Sequence, residues 1–135
     1  MLLLNGLQDI APLVLRLFLA AIFIYHGLPK IKGGKQMAQA MGKPQMGIFM
    51  VLLGTAETLG GIAAAVGFLT QIAAAGFIIV MLGAIYMKAT LWKTGFTSQK
   101  TTGWEFDFMI LGAAIALLLL GAGTISVDAS LGLFP

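Results

Sequence analysis

Six charged or titratable side chains and one tryptophan interrupt or border the apolar runs of this sequence and define its available chemistry: Arg16, His26, Lys30, Glu57, Trp104, Glu105 and Asp107. Arg16 lies inside an apolar run from about Ile10 to Leu28, long enough to cross a bilayer as a helix. A guanidinium at that depth must snorkel to the surface, pair with an acid on another helix, or line a polar cavity. Of the five acids, Glu57 alone is expected in mid-membrane. At about 1.5 Å of rise per residue, Arg16 lies about 9 Å and Glu57 about 14 Å in from the same outer boundary, so the expected arrangement is an Arg16–Glu57 pair. Histidine titrates near neutral pH, which makes His26 a candidate for handling protons, with Glu105 and Asp107 as carboxylate partners.

Two helical faces must position these groups. Turning by about 100° per residue, Arg16, Phe23, Gly27 and Lys30 share one face of the first apolar segment, with His26 beside them. Gly54, Glu57, Gly61 and Ala64 share a face of the second, which presents the glutamate where another helix can approach closely. Lys30 and His26 should be level with Trp104, Glu105 and Asp107, so the candidate ligand-binding set is Arg16, His26, Lys30, Glu57 and Trp104. Each also has a plainer role. Glu105 can cap its helix in a box with Thr102, Asp107 can complement the helix dipole, Lys30 can snorkel and Trp104 can sit in an aromatic belt.

Composition narrows the class. In 135 residues, 59% are hydrophobic and 10% charged, the balance of an all-α integral membrane protein with lipid as its main partner. Nothing resembles a nucleic-acid footprint. There are no cysteines and one histidine, which rules out disulfides and thiolate sites and argues against a zinc, iron–sulfur or bis-histidine haem site; no metal is expected. The eight methionines read as packing residues, and Gly60–Gly61 as a helix contact rather than a phosphate loop.

The whole chain reads as one domain, 1–135, with a short apolar tail over 1–9 and spans at about 10–28, 46–66, 68–87 and 106–124. The first is read as a retained span, not a signal peptide, because it lacks a basic leading region and contains Arg16. The connection from Lys30 to Gln45 includes a short surface helix ended by Gly42, and Ala73, Gly76, Val80 and Gly83 form a small-residue face that predicts a close helix contact. The first and third connections hold all seven lysines, so these loops are expected in the cytoplasm and both termini outside.

With these residues placed, the chain resembles the DoxX family of small bacterial and archaeal membrane proteins. The likeness is carried by Arg16-Leu17 with Phe23, His26-Gly27-Leu28-Pro29-Lys30, Glu57-Thr58-Leu59-Gly60-Gly61, Gly67-Phe68-Leu69-Thr70, and Gly121-Ala122-Gly123 leading to Ser126-Val127-Asp128. The resemblance implies a four-helix bundle in the cell (inner) membrane. For relatives that form part of a thiosulfate:quinone oxidoreductase, it also implies a link to membrane quinone. Two readings follow. In one the chain is a quinone-associated or accessory subunit of a redox system, with quinone as its only cofactor and a partner subunit carrying the electrons. In the other it is a non-enzymatic structural, lipid-binding or small-molecule-binding protein or carrier. A second copy of the chain is a further expected partner.

Overall fold

The computed structural model describes residues 6–133, so residues 1–5 of the expected N-terminal tail and the last two residues of the domain lie outside it. Five helices follow in order: α1 (Ile10–Ala40), α2 (Gly47–Val66), α3 (Thr70–Tyr86), α4 (Glu105–Leu120) and the short α5 (Val127–Leu131). A 3-10 turn, Pro44–Met46, leads into α2, and a π turn, Met87–Leu91, follows α3. The described residues contain no strand. Three segments, Ile10–Ala40, Pro44–Val66 and Thr70–Leu91, are long and apolar enough to cross a membrane. The 16 residues of α4 are fewer than a typical span, reaching about 24 Å at 1.5 Å per residue.

The helices pair as two hairpins, α1 with α2 and α3 with α4, closed over a common core. That core is Leu19 and Phe23 from α1, Ala64 from α2, Ala74, Phe77 and Met81 from α3, and Ile110, Ala114 and Leu117 from α4. Phe23 and Phe77 stack with ring centroids 3.8 Å apart and join the two hairpins. Outward-facing positions are large and apolar, as at Phe18, Ile79, Met109 and Leu119, while Arg16, Glu57, Asp107 and Asp128 are buried. This is the distribution expected where hydrocarbon is the solvent and polar groups must find partners inside.

Helix α1 corrects the expected helix end at residue 28, while a break at Gly33 sets off the short second helical piece expected before Gly42. The helix runs on through Pro29 to Ala40, bending only at Gly33, where φ is −134°. Proline removes one helical hydrogen bond, but such a loss is tolerated in a membrane helix when a neighbour holds the chain. Here α2 does so well past the proline. A Cβ on Gly34 would meet Val51 Cγ2 at 3.0 Å, and one on Gly47 would meet Lys35 Cα at 3.2 Å. The helix ends as Gly42 takes up a φ of +70°.

Two further expectations are overturned. The small-residue face of α3 is not its main contact face: Ala73 and Val80 pack against the core, but a Cβ on Gly76 or Gly83 would meet nothing within 4 Å, and α3 buries Thr70, Ala74, Phe77 and Met81. Larger side chains there build the core, and the glycines face outward. The Thr102–Glu105 capping box does not form either. Trp104 is the N-cap of α4 without a side-chain bond, and the backbone N–H groups of Trp104 and Glu105 donate to the carbonyls of Gly95 and Phe96, because the preceding loop folds back over the helix start.

The α1–α2 contact depends on glycine at its middle. A Cβ on Gly54 would lie 2.5 Å from Lys30 Cβ and 2.6 Å from the carbonyl oxygen of Gly27. Substituting Gly54→Ala should therefore lower stability by about 1–3 kcal/mol, the usual range for overpacking a tight contact. Gly76→Ala, in open space on the outer face, should cause no loss. Thermal unfolding of the two variants in detergent checks the contrast.

Candidate functional site

Arg16 is fully buried, at 0% exposure, and its guanidinium is held by backbone oxygens. Nη1 donates to Ala64 O at 3.1 Å and Ala65 O at 3.2 Å, and Nη2 donates to Ile125 O. Those alanines belong to the last turn of α2, where Ala64 O also accepts from Gly67 N–H at 3.2 Å and the carbonyls carry the negative end of the helix dipole. Arg16 therefore serves as a C-terminal cap for α2 delivered from another helix. It also fastens the segment before α5 to the same point. Gly67, at φ +71°, turns the chain there, and a Cβ on it would run into Arg16 and Ser126.

Asp128 completes this end of the bundle. Its carboxylate accepts from Leu69 N at 2.7 Å and Thr70 N at 2.9 Å, so it caps the start of α3, while its own N–H donates to Gly67 O at 2.8 Å. In the sequence Asp128 figures only as part of the ending Ser126-Val127-Asp128. It is 2% exposed, and α5 is positioned for it by Ser126, whose hydroxyl accepts from Ala129 N at 3.0 Å.

The expected Arg16–Glu57 pair is not formed. Glu57 accepts from Lys30 Nζ through both oxygens, at 2.7 and 2.5 Å. The reason is register. Arg16 is level with the end of α2, seven or eight residues beyond Glu57, an axial gap of roughly 10–12 Å at 1.5 Å per residue. Lys30 lies opposite Gly54, one turn from Glu57 on the same face. Side chains lean toward the N-terminus of their own helix, so in this antiparallel pair Lys30 and Glu57 lean toward each other. The glutamate is 3% exposed and the lysine side chain 21%, so the pair is closed on the α2 side and reachable only along the lysine.

The second hairpin repeats the arrangement. Lys88, in the π turn after α3, donates to Asp107 Oδ2 at 2.6 Å, with side-chain exposures of 19% and 10%. The proposed cluster of His26, Lys30, Trp104, Glu105 and Asp107 therefore does not assemble, since its lysine and its aspartate are each committed elsewhere. His26 is exposed on α1, with its ring edge-on to Tyr25 at 5.6 Å. Glu105 is exposed, and Trp104 packs edge-on with Phe96 at 4.6 Å and near Phe108 at 6.2 Å. Among the described residues no three His, Cys, Asp or Glu side chains come together as a metal site.

An apolar groove of about 750 Å³ opens between α1 and α4 beside Ile10, Val14, Phe18 and Leu120. Arg16 does not line it. The partners missed in the sequence, Lys88 and Asp128, had a legible signal in part: Lys88 closes one helix and Asp107 opens the next, so an antiparallel hairpin brings them level. Nothing local to Asp128 points to the start of α3, because the contact spans 58 or 59 residues.

A double-mutant cycle separates the two pairings. Lys30→Met and Glu57→Gln should couple by about 1–3 kcal/mol in unfolding, the range for residues in direct contact. Arg16→Met and Glu57→Gln should add to within about 0.5 kcal/mol. Arg16→Met by itself should cost roughly 3 kcal/mol, because three hydrogen bonds from one charged group are lost together. Equal coupling in both cycles would return Glu57 to Arg16.

The DoxX family profile matches residues 11–90. Over 125 residues the chain is 30% identical to a Bacillus subtilis (strain 168) protein named "Putative oxidoreductase CatD", an alignment covering 92% of this chain and 89% of that one. It is likewise 30% identical over 126 residues to an Escherichia coli (strain K12) protein named "Inner membrane protein YqjF", covering 90% of this chain and 92% of the other. No solved structure matches it. By the profile, by two relatives aligned over nearly their full length and by its apolar helices, the chain belongs to the DoxX family of membrane proteins.

Proposed function

We propose that the protein is a non-enzymatic accessory subunit of a membrane redox system, embedded in a bacterial or archaeal cell membrane. One observation carries the reading: each charged group inside the bundle is bonded to another or to the backbone, with Arg16 Nε alone among their nitrogens and oxygens buried without a partner. Arg16 is held by three carbonyls, Glu57 by Lys30, Asp107 by Lys88 and Asp128 by two amides. A general acid or base has to reach the atom it protonates, within about 3 Å or through one water. Arg16 and Glu57 are closed off, and His26 is exposed on α1 with its ring against Tyr25, so this set suits a scaffold better than a reacting centre.

The redox association rests on the relative named as an oxidoreductase. A chain without cysteine and with a single histidine has few groups of its own to carry electrons, so the carrier would belong to a partner subunit. Native mass spectrometry after gentle extraction from the native membrane is the test. A redox subunit should accompany the chain, and the chain separated from it should hold no stoichiometric quinone. Quinone retained by the isolated chain would instead make it the quinone-binding subunit, and recovery with phospholipid alone would remove the redox association.

The same reading takes α4 as a fourth span. Its outer face is apolar at Phe108, Met109, Ile115 and Leu119, and a few ångströms of missing length are met by local thinning of the bilayer at a modest cost. Four spans put the lysine-bearing segments on one side, in the cytoplasm, with both termini outside. A membrane-impermeant amine reagent should leave these lysines unlabelled in intact spheroplasts and label them once the membrane is opened. Labelling before opening would invert the orientation.

A further inference from the structure

Between α3 and α4 the chain passes through the π turn and an irregular loop that walls a cavity of about 700 Å³ at the lysine-bearing end of the bundle. Three ammonium groups line it, from Lys88, Lys93 and Lys100, with hydroxyl donors such as those of Ser98 and Thr102, and no acid is among its walls. Lys88 is neutralised from behind by Asp107. Lys93 and Lys100 are exposed and form no ion pair among the described residues, so the cavity carries about two uncompensated positive charges. Ammonium and hydroxyl groups without an acceptor of opposite charge are a donor set for an oxyanion.

The position of the cavity narrows the source of that anion. It follows directly on Leu91, where the apolar segment Thr70–Leu91 ends, and Trp92 forms part of its wall. Leu91, Trp92 and Phe96 are each about half exposed, which sets apolar and aromatic surface beside the lysines, as at the headgroup level of a bilayer. A soluble phosphate gains nothing from that apolar margin. A phospholipid does, because its acyl chains can continue along the outer faces of α3 and α4.

We propose that this cavity binds the phosphodiester headgroup of an anionic phospholipid, with Lys93 and Lys100 as its charge partners and Trp92 at the boundary between headgroup and chains. The site is independent of the accessory role proposed above. It rests only on α3 crossing the bilayer.

The test uses the full chain reconstituted in vesicles of equimolar phosphatidylglycerol and phosphatidylcholine, then extracted, with retained lipid counted by native mass spectrometry. Phosphatidylglycerol should be retained over phosphatidylcholine by roughly thirtyfold, the expectation for two lysines at an anionic headgroup. The variant K93Q/K100Q should fall to near parity, and K32Q/K35Q, which removes two exposed lysines from α1 outside the cavity, should keep the preference. All four positions are exposed, and circular dichroism checks that both variants retain their helices. Equal retention of the two lipids by the unaltered protein, or the same loss in K32Q/K35Q, would overturn the proposal. Displacement of the lipid by excess inorganic phosphate would overturn the lipid as occupant and make the site one for a free oxyanion.

Discussion

The end of this bundle where α2 gives way to α3 depends on one guanidinium. In hydrocarbon an unpaired carbonyl has no water to turn to, and the last turn of any helix leaves several such carbonyls. Arg16 donates to two carbonyls at the end of α2, one of them shared with Gly67 N–H, and to a third at Ile125, so one side chain joins α1, α2 and the C-terminal segment. That tie places Asp128 over the start of α3, where it satisfies two amides that also have no helical partner. The C-terminus of one helix is capped by a cation and the N-terminus of the next by an anion, both in agreement with the dipoles of those helices.

Away from that end, the two hairpins solve the same problem in the same manner. Each places a lysine in or just after its first helix and an acid on its second, and the pairs Lys30–Glu57 and Lys88–Asp107 result. The first is the more deeply set and is possible only because Gly27 and Gly54 bring the two backbones together. Buried pairs of this kind add little net stability over apolar packing, but breaking one leaves a charge stranded, so they make the helix register specific. The aromatic stack of Phe23 on Phe77 then locks one hairpin onto the other.

The family and the fold class belong together, while the chemistry associated with relatives does not follow from either. The groups that invite a catalytic reading, a buried arginine and a buried glutamate, turn out to be occupied in holding helices. Charges without an ion pair among the described residues lie away from those contacts, and two of them, Lys93 and Lys100, line one cavity in the loop between α3 and α4.

Much of this was legible in the residues. Composition and apolar run length determined an all-helical membrane protein, the glycine face of α2 with Glu57 on it was readable from spacing, and Gly42 and Gly67 marked turns, since periodicity and backbone freedom are local properties. Pairing was not local. Whether Glu57 meets Arg16 or Lys30 depends on how far α1 slides along α2, and whether Pro29 ends a helix depends on what α2 offers beyond it. Which face of α3 is buried was likewise settled by Phe77 and Met81 finding the core rather than by its glycines. The sequence by itself determined which side chains must find partners in the bilayer, because charge in hydrocarbon is costly wherever it sits. Only the tertiary structure decided which partners those are, because offsets of a single helical turn exchange one for another.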